Sequence, residues 1–326
     1  TAEYAPLPAD IRIEQGIAHE SYVRPSHTQR RGDARTAIEQ APMRLRGEFR
    51  SGGQEQLYLE GQASLCIPQE DGGMLVHTST QHPSEGQKLV AEVLDIPMGM
   101  VTVDVRRMGG AFGGKETNAN QWACIAALLA DKTQRPVKLR LARADDMTAT
   151  GKRHPFLSRY EVGFDKDGQI LGLDMELYGD CGMSPDLSDA IVDRAMFHAD
   201  NAYYLPAAKI CGHRVKTNTV SHTAFRGFGG PQGILAIENI IEQIATATGL
   251  DPLAVRRRNL YRAAGGRDTT HYGQQLEQHL IDPLITRLEQ TSHYHARRQA
   301  IKAFNQDSHI LKRGLALTPV KFGISF

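Results

Sequence analysis

An α+β fold is predicted for this 326-residue chain by three observations. Strand-like and helix-like stretches follow one another without the regular βαβ alternation that builds a doubly wound sheet. The stretches SRYEVGF and QILGLDMELY are joined by a turn at Asp165–Gly168 and read as an antiparallel hairpin. The order strand, Phe-Gly-Gly loop, helix also occurs twice, over 101–130 and 213–248.

The elements can be justified in chain order. Residues 1–24 read as a short strand, a turn flanked by Pro6 and Pro8, and a helical turn, IRIEQGIA. YVRPSHTQRRGDARTA has the composition of a linker or surface loop. RLRGEFR and QLYLEGQASLCI read as strands around a Gly-Gly turn, and MLVHTST as another, before a helix at about 83–94. VTVDVRR (101–107) alternates as a strand and runs into MGGAFGGKE, then the helix TNANQWACIAALLADKT. VKLRL (137–141) is a strand ahead of the hairpin, and a helix spans roughly 186–197. A strand at 213–217 leads through TAFRGFGGPQG into the helix ILAIENIIEQIATATG, closed by Gly249. A mostly helical segment, 251–305, precedes a last β-like stretch, LALTPVKFGISF. A domain rarely stops in such a stretch, so the chain is expected to be part of something longer.

Bulk properties exclude several classes. A formal net charge of +1 leaves no electrostatic footprint for nucleic acid or an anionic membrane. No apolar run approaches the roughly 20 residues that cross a bilayer, and TAEYAPLPAD lacks the features of a secretory signal. Cys66, Cys124, Cys181 and Cys211 form no CxxC pair or zinc-finger spacing, so they read as reduced, structural thiols of a cytoplasmic protein.

The chemistry lies in the repeated loops. In AFGGKE and GFGGPQ a Phe directly precedes a Gly-Gly pair that enters a helix. Gly is needed where the chain takes positive φ or where backbone N–H groups approach a ligand closely. The helix N-terminus behind each loop favours an anion such as a phosphate or a metal-oxo group, although tight turns made for packing alone would read the same way. Neither loop is a nucleotide fingerprint. MGGAFGGKE lacks the G-x-G-x-x-G spacing, and Lys115 is followed by Glu116 where a P-loop has Ser or Thr.

The runs RRMGGAFGGKET, GKRHPFLSRYEVGFDKDG, DRAMFHADNAYYLP, KTNTVSHTAFRGFGGPQG, VRRRNLY and KFGISF resemble the molybdenum hydroxylases, and among them the xanthine dehydrogenase family, over essentially the whole chain. The resemblance implies that residues 1–27 end a small hammerhead-like domain and 28–42 are a linker. Residues 43–326 would then begin a molybdenum-cofactor-binding domain. It implies a molybdenum-molybdopterin cofactor in this part, with FAD and 2Fe–2S clusters on other segments or a partner chain. It further implies a dimeric holoenzyme and a purine substrate hydroxylated to uric acid. An aldehyde-oxidising relative and a non-catalytic fragment are the alternatives. The family's loop usually reads GGGFGG, and Ala111 stands at its third position. A methyl group there costs below about 1 kcal/mol if φ is negative.

Residue by residue, the resemblance places Gln81 against an oxygen ligand of molybdenum. It places Phe112 and Arg226 against the metal centre through their backbone amides, with Gly113 at the cofactor. Glu116 and Arg194 become the polar pair that holds the purine, and Phe228 and Phe326 the aromatics that stack on it. Phe225 and Phe322 lie beside them in sequence and are equally explained by packing. The glutamate acting as general base falls outside this chain. Taken alone, Glu116 could as well be a helix-capping carboxylate and Arg194 half of a surface salt bridge.

Overall fold

The structure, a computed structural model, describes residues 3–323. A five-stranded sheet has the order β1 (Tyr22–Arg31), β9 (Ala208–Lys216), β8 (Ile170–Gly182), β7 (Phe156–Phe164), β2 (Met43–Ser51). Its neighbours are antiparallel except β8 and β9, which are parallel and need a crossover. Helix α6 (Ser188–Phe197) lies in that crossover. One face of the sheet buries Val162, Leu173, Met175 and Leu177 in a single core with Val192 and Met196 of α6. The same core takes in Ile237, Ile240, Ile241 and Ile244 of α7 (Gly230–Thr248). Those isoleucines recur at three- and four-residue spacing, which is what turns a helix into one apolar stripe.

Among the described residues, the opposite face is covered only at its ends. Helix α1 (Ile13–Ala18) packs Ile13 with Leu157 and Val215. Helix α2 (Ala34–Glu39) sits on Gly163 and Gly172, where its Ala37 and Ile38 leave no room for a Cβ.

A second sheet has the order β5 (Val101–Asp104), β4 (Met74–Thr78), β3 (Ala63–Pro68), β6 (Val137–Arg140). Its parallel pair, β4 and β5, is bridged by α3 (Pro83–Leu94). Helix α4 (Asn118–Thr133) faces it with Ala123, Ala126, Ala127 and Ala130, all at most 1% exposed. Short side chains let this helix settle close against Cys66 and Val76. The remaining helices are α5 (Arg143–Ala149), α8 (Pro252–Asn259), α9 (Ile281–Thr291) and α10 (Tyr294–Asp307). Among the described residues no helix is long and apolar enough to cross a membrane.

Four sequence expectations are corrected. The polar stretch around 28–42 is no linker: it carries the end of β1, paired to β9, and then α2. The sheet therefore runs across the expected boundary after residue 27. Its composition is polar because β1 is an edge strand with a mostly exposed burial pattern. RLRGEFR and QLYLEGQASLCI do not form a hairpin, since β2 pairs with β7 in one sheet and β3 with β4 and β6 in the other. Residues 3–12 contain no strand, and residues 308–323 cross the surface as irregular chain rather than as a last strand. The hairpin itself forms as expected, with the Gly168 N–H donating to the Asp165 carbonyl at 3.0 Å.

Candidate cofactor and substrate site

The two Phe-Gly-Gly loops meet. In the first, Phe112 has φ 54° and Gly113 φ 99°; in the second, Phe228 has φ 49° and Gly229 φ 94°. A left-handed Phe costs on the order of 1–3 kcal/mol and persists where its surroundings enforce it. Here the Arg226 N–H donates to the Phe112 carbonyl at 2.9 Å. A Cβ on Gly113 would lie 2.6 Å from the Ala224 carbonyl oxygen, so only Gly lets the loops approach this closely. Ala111 is buried and is not among the residues with positive φ, so its methyl is accommodated.

A buried polar cradle supports the first loop. Lys115 is fully buried, its Nζ 2.9 Å from Ser79 Oγ, 3.1 Å from Glu60 Oε2 and 4.8 Å above the Tyr58 ring. Burial pulls the Lys115 ammonium down, against the opposing pull of Glu60. Gln62 Nε2 donates to the Gly114 carbonyl at 2.9 Å and Gln56 Nε2 to that of Ala224 at 3.0 Å. The Tyr58 hydroxyl donates to Asp146 at 2.6 Å. None of these residues was assigned a role from the sequence, yet the signal was there. In QLYLEGQ the polar and aromatic residues at 56, 58 and 62 face inward, while Leu57 and Leu59 are 65% and 91% exposed.

Gln81 completes the loop. Its Oε1 accepts from the N–H of Gly113 at 2.8 Å and of Lys115 at 3.4 Å, and its own N–H donates to the Lys115 carbonyl at 2.9 Å. These contacts fix the amide orientation and leave Nε2 as a donor on an exposed side chain. The Phe112 N–H has no hydrogen-bond partner among the described residues. An anionic metal-oxo group calls for such N–H donors, so Gln81 and Phe112 fit one. In the structure the Arg226 N–H donates to the Phe112 carbonyl and the Gly113 N–H to Gln81 Oε1, so both shape the loop.

Of the expected substrate residues, Glu116 is half-buried ahead of α4. It does not cap that helix, whose N-cap is Thr117. Burial raises its carboxyl, reinforced by Asp186 and Glu85 and opposed by His82. Arg194, in the last turn of α6, is buried, 8% exposed, rather than a surface residue. Its guanidinium donates to the Gly323 carbonyl and lies 4.9 Å over the Phe322 ring, and burial lowers it. Residues 319–323 are held there by Asn201, which donates to the Pro319 carbonyl at 2.9 Å, and by His198 Nε2, which accepts from the Gly323 N–H at 3.1 Å. The described contacts of Glu116 and Arg194 share no residue. Phe228 is half-buried at the head of α7, and Phe326 lies outside the described residues. Phe225 packs under Arg153, at 4.0 Å, whose guanidinium donates to the Arg226 carbonyl at 2.8 Å.

This fold and these loops define a class, and the chain belongs to the molybdopterin cofactor-binding domain family, whose model matches residues 17–260. More particularly, it is 44% identical to a xanthine dehydrogenase of Drosophila subobscura and 42% identical to a xanthine dehydrogenase/oxidase of Gallus gallus. Each match covers 99% of this chain. The chain spans about a quarter, 24%, of the length of those relatives. Among solved structures, the aldehyde oxidoreductase from Desulfovibrio gigas superposes with a TM-score of 0.83 at 25% identity, over 93% of this chain and 33% of that one. Quinoline 2-oxidoreductase from Pseudomonas putida 86 gives 0.82 at 25% identity, over 93% and 40%. The cofactor of the family is therefore molybdenum-molybdopterin.

Proposed function

We propose that this chain forms one side of the active site of a xanthine dehydrogenase, hydroxylating hypoxanthine and xanthine to uric acid. When bound, the molybdenum cofactor supplies the redox chemistry of the hydroxylation. The residues of this chain bind and orient the purine. Arg194 carries the reading: a buried guanidinium beside the Phe322 ring is suited to charge that develops on ring nitrogens and exocyclic oxygens. Glu116, with its carboxyl raised by burial, can hold a proton and donate it in a hydrogen bond to a ring nitrogen. Phe228 and Phe326 stack on the heterocycle. Gln81 and Phe112 direct N–H donors at the cofactor, and Gly113 and Arg226 keep Phe112 in its left-handed conformation. Identity to xanthine dehydrogenases over 99% of the chain supports the purine over an aldehyde. The remaining molybdenum domain and the iron–sulfur and FAD segments complete a dimeric, cytoplasmic enzyme, in keeping with four unpaired cysteines.

The test is Arg194→Met in the complete enzyme. Turnover of hypoxanthine falls about 10²–10³-fold, more than binding weakens, because the contact strengthens towards the transition state. An aromatic aldehyde has no distant oxygen for the arginine to reach, and its oxidation suffers far less. Equal losses on both substrates would show that Arg194 serves the fold or the cofactor.

A further inference from the structure

The uncovered middle of the five-stranded sheet, between α1 and α2, carries a group with no part in the site above. Strand register places Glu176 of β8 directly beside Cys211 of β9. Strand alternation puts His213, two residues on, on the same face as Cys211. The thiol, imidazole and carboxylate ligand atoms all lie within 4.8 Å of one another. We propose that Glu176, Cys211 and His213 form a binding site for a zinc-class divalent cation, with water as the fourth ligand.

The donor set carries the argument. One sulfur, one nitrogen and one oxygen donor suit a borderline-soft ion such as zinc, whereas magnesium and calcium require mostly oxygen. Three protein ligands leave one position open, and the thiolate and carboxylate charges together balance a dication. The donors are also preorganised. Cys211 is 7% exposed and accepts from Thr28 Oγ1 at 3.3 Å. The His213 ring is stacked on Tyr178, with centroids 4.4 Å apart and planes 12° from parallel, and its Nε2 lies 2.6 Å from Glu176 Oε2. Tetrahedral zinc spaces its ligand atoms roughly 3.3–3.6 Å apart, so side-chain rotation suffices to admit the ion. Lys209, 3.2 Å from Glu176, is equally close to Asp174 and keeps that partner when Glu176 turns to a metal.

The complete enzyme, stripped with a chelator, is incubated with zinc chloride and desalted, and its zinc is then measured by mass spectrometry. Wild type retains about one zinc per chain beyond what Cys211→Ser or His213→Ala retains. Zinc also protects Cys211 from alkylation, read by peptide mass spectrometry on the unmutated enzyme, so the test stands even if a variant misfolds. Zinc retention equal in wild type and both variants overturns the proposal, and so does a Cys211 alkylated at the same rate with and without zinc. Neither readout depends on purine turnover, so the site succeeds or fails independently of the proposed activity.

Discussion

The loops 110–116 and 226–232 share the backbone conformation of their Phe-Gly pair but are secured by different means. Phe112–Gly113 and Phe228–Gly229 agree within about 5° in φ at both positions. The first loop is held from outside, by the Gln81 amide on Gly113 and by the cradle around Lys115, and its helix begins only at Asn118. Phe112 stays 47% exposed. The second loop runs straight into α7 at Gly230; both loops close a turn, Gly230 N–H to Gly227 here and Gly114 N–H to Ala111 there, and the second adds a bond from Phe228 N–H to Phe225. It is wedged against α6, where a Cβ on Gly229 would stand 2.0 Å from the Ile191 carbonyl oxygen. A repeated sequence here produces a repeated Phe-Gly conformation but not a repeated role. The second loop is the wall on which the first, solvent-facing one is propped.

Breaking the wall has the largest effect. Gly229→Ala adds a side chain at positive φ and drives it into backbone, which costs about 3 kcal/mol or more. Gly113→Ala, with its nearest contact at 2.6 Å, costs somewhat less. Gly249→Ala also sits at positive φ, 71°, but with nothing within 4 Å, and is limited to about 1 kcal/mol. Melting temperatures of the complete enzyme fall in that order. A Gly229→Ala variant as stable as Gly249→Ala would contradict the wedged geometry.

The second prediction separates holding from offering. Gln81→Ala removes the first loop's side-chain tie and, in the proposed enzyme, a donor to the cofactor. In the second loop the side-chain tie comes instead from Arg153, whose guanidinium donates to the Arg226 carbonyl. Loss of a hydrogen bond to a charged group is worth about 1.5–3 kcal/mol, so turnover falls roughly 10- to 100-fold while melting changes little. A melting loss as large as that of Gly113→Ala, with turnover of the remaining folded enzyme intact, would make Gln81 a structural brace only.

How much of this could be read from residues follows from where the constraints lie. The long helices α4 and α7, the hairpin β7–β8 and both loops are local patterns, and each stood in the sequence as periodicity or as Gly next to Phe. The placement of β2 and β3 in different sheets depends on distant partners, Phe164 and Arg140 among them, that no window of sequence contains. The cradle was hidden for another reason. Gln56, Tyr58 and Gln62 are buried because other buried polar groups require partners, an inversion of the usual pattern that hydrophobic periodicity reads backwards. The partner of the Arg226 N–H depends on how the two loops dock, which no window of sequence contains.

The smallest effect tests the comparison at its last residue, because aligning the loops puts Glu116 opposite Gln232. Gln232 is 2% exposed and uncharged, whereas Glu116 carries a carboxyl that burial, Asp186 and Glu85 push upwards, with His82 pulling the other way. A raised carboxyl is one whose ionised form the fold disfavours. Below its ordinary value of 4.5 the group is protonated in both folded and unfolded chains, and its contribution is fully present. As pH rises from there through the raised folded value, the unfolded chain releases its proton first, and that stability is lost. Glu116→Gln keeps the shape without the charge and makes the first loop end as the second does. Its melting temperature therefore matches wild type below about pH 4 and exceeds it by a degree or two at pH 7. The gain appears only across the window just above the ordinary carboxylate value. Melting curves of both proteins from pH 4 to pH 8, in roughly half-unit steps, decide the matter. A variant that melts lower than wild type at neutral pH would mean that the ionised carboxylate is stabilised where it stands, and the proton-holding role proposed for Glu116 would go with it.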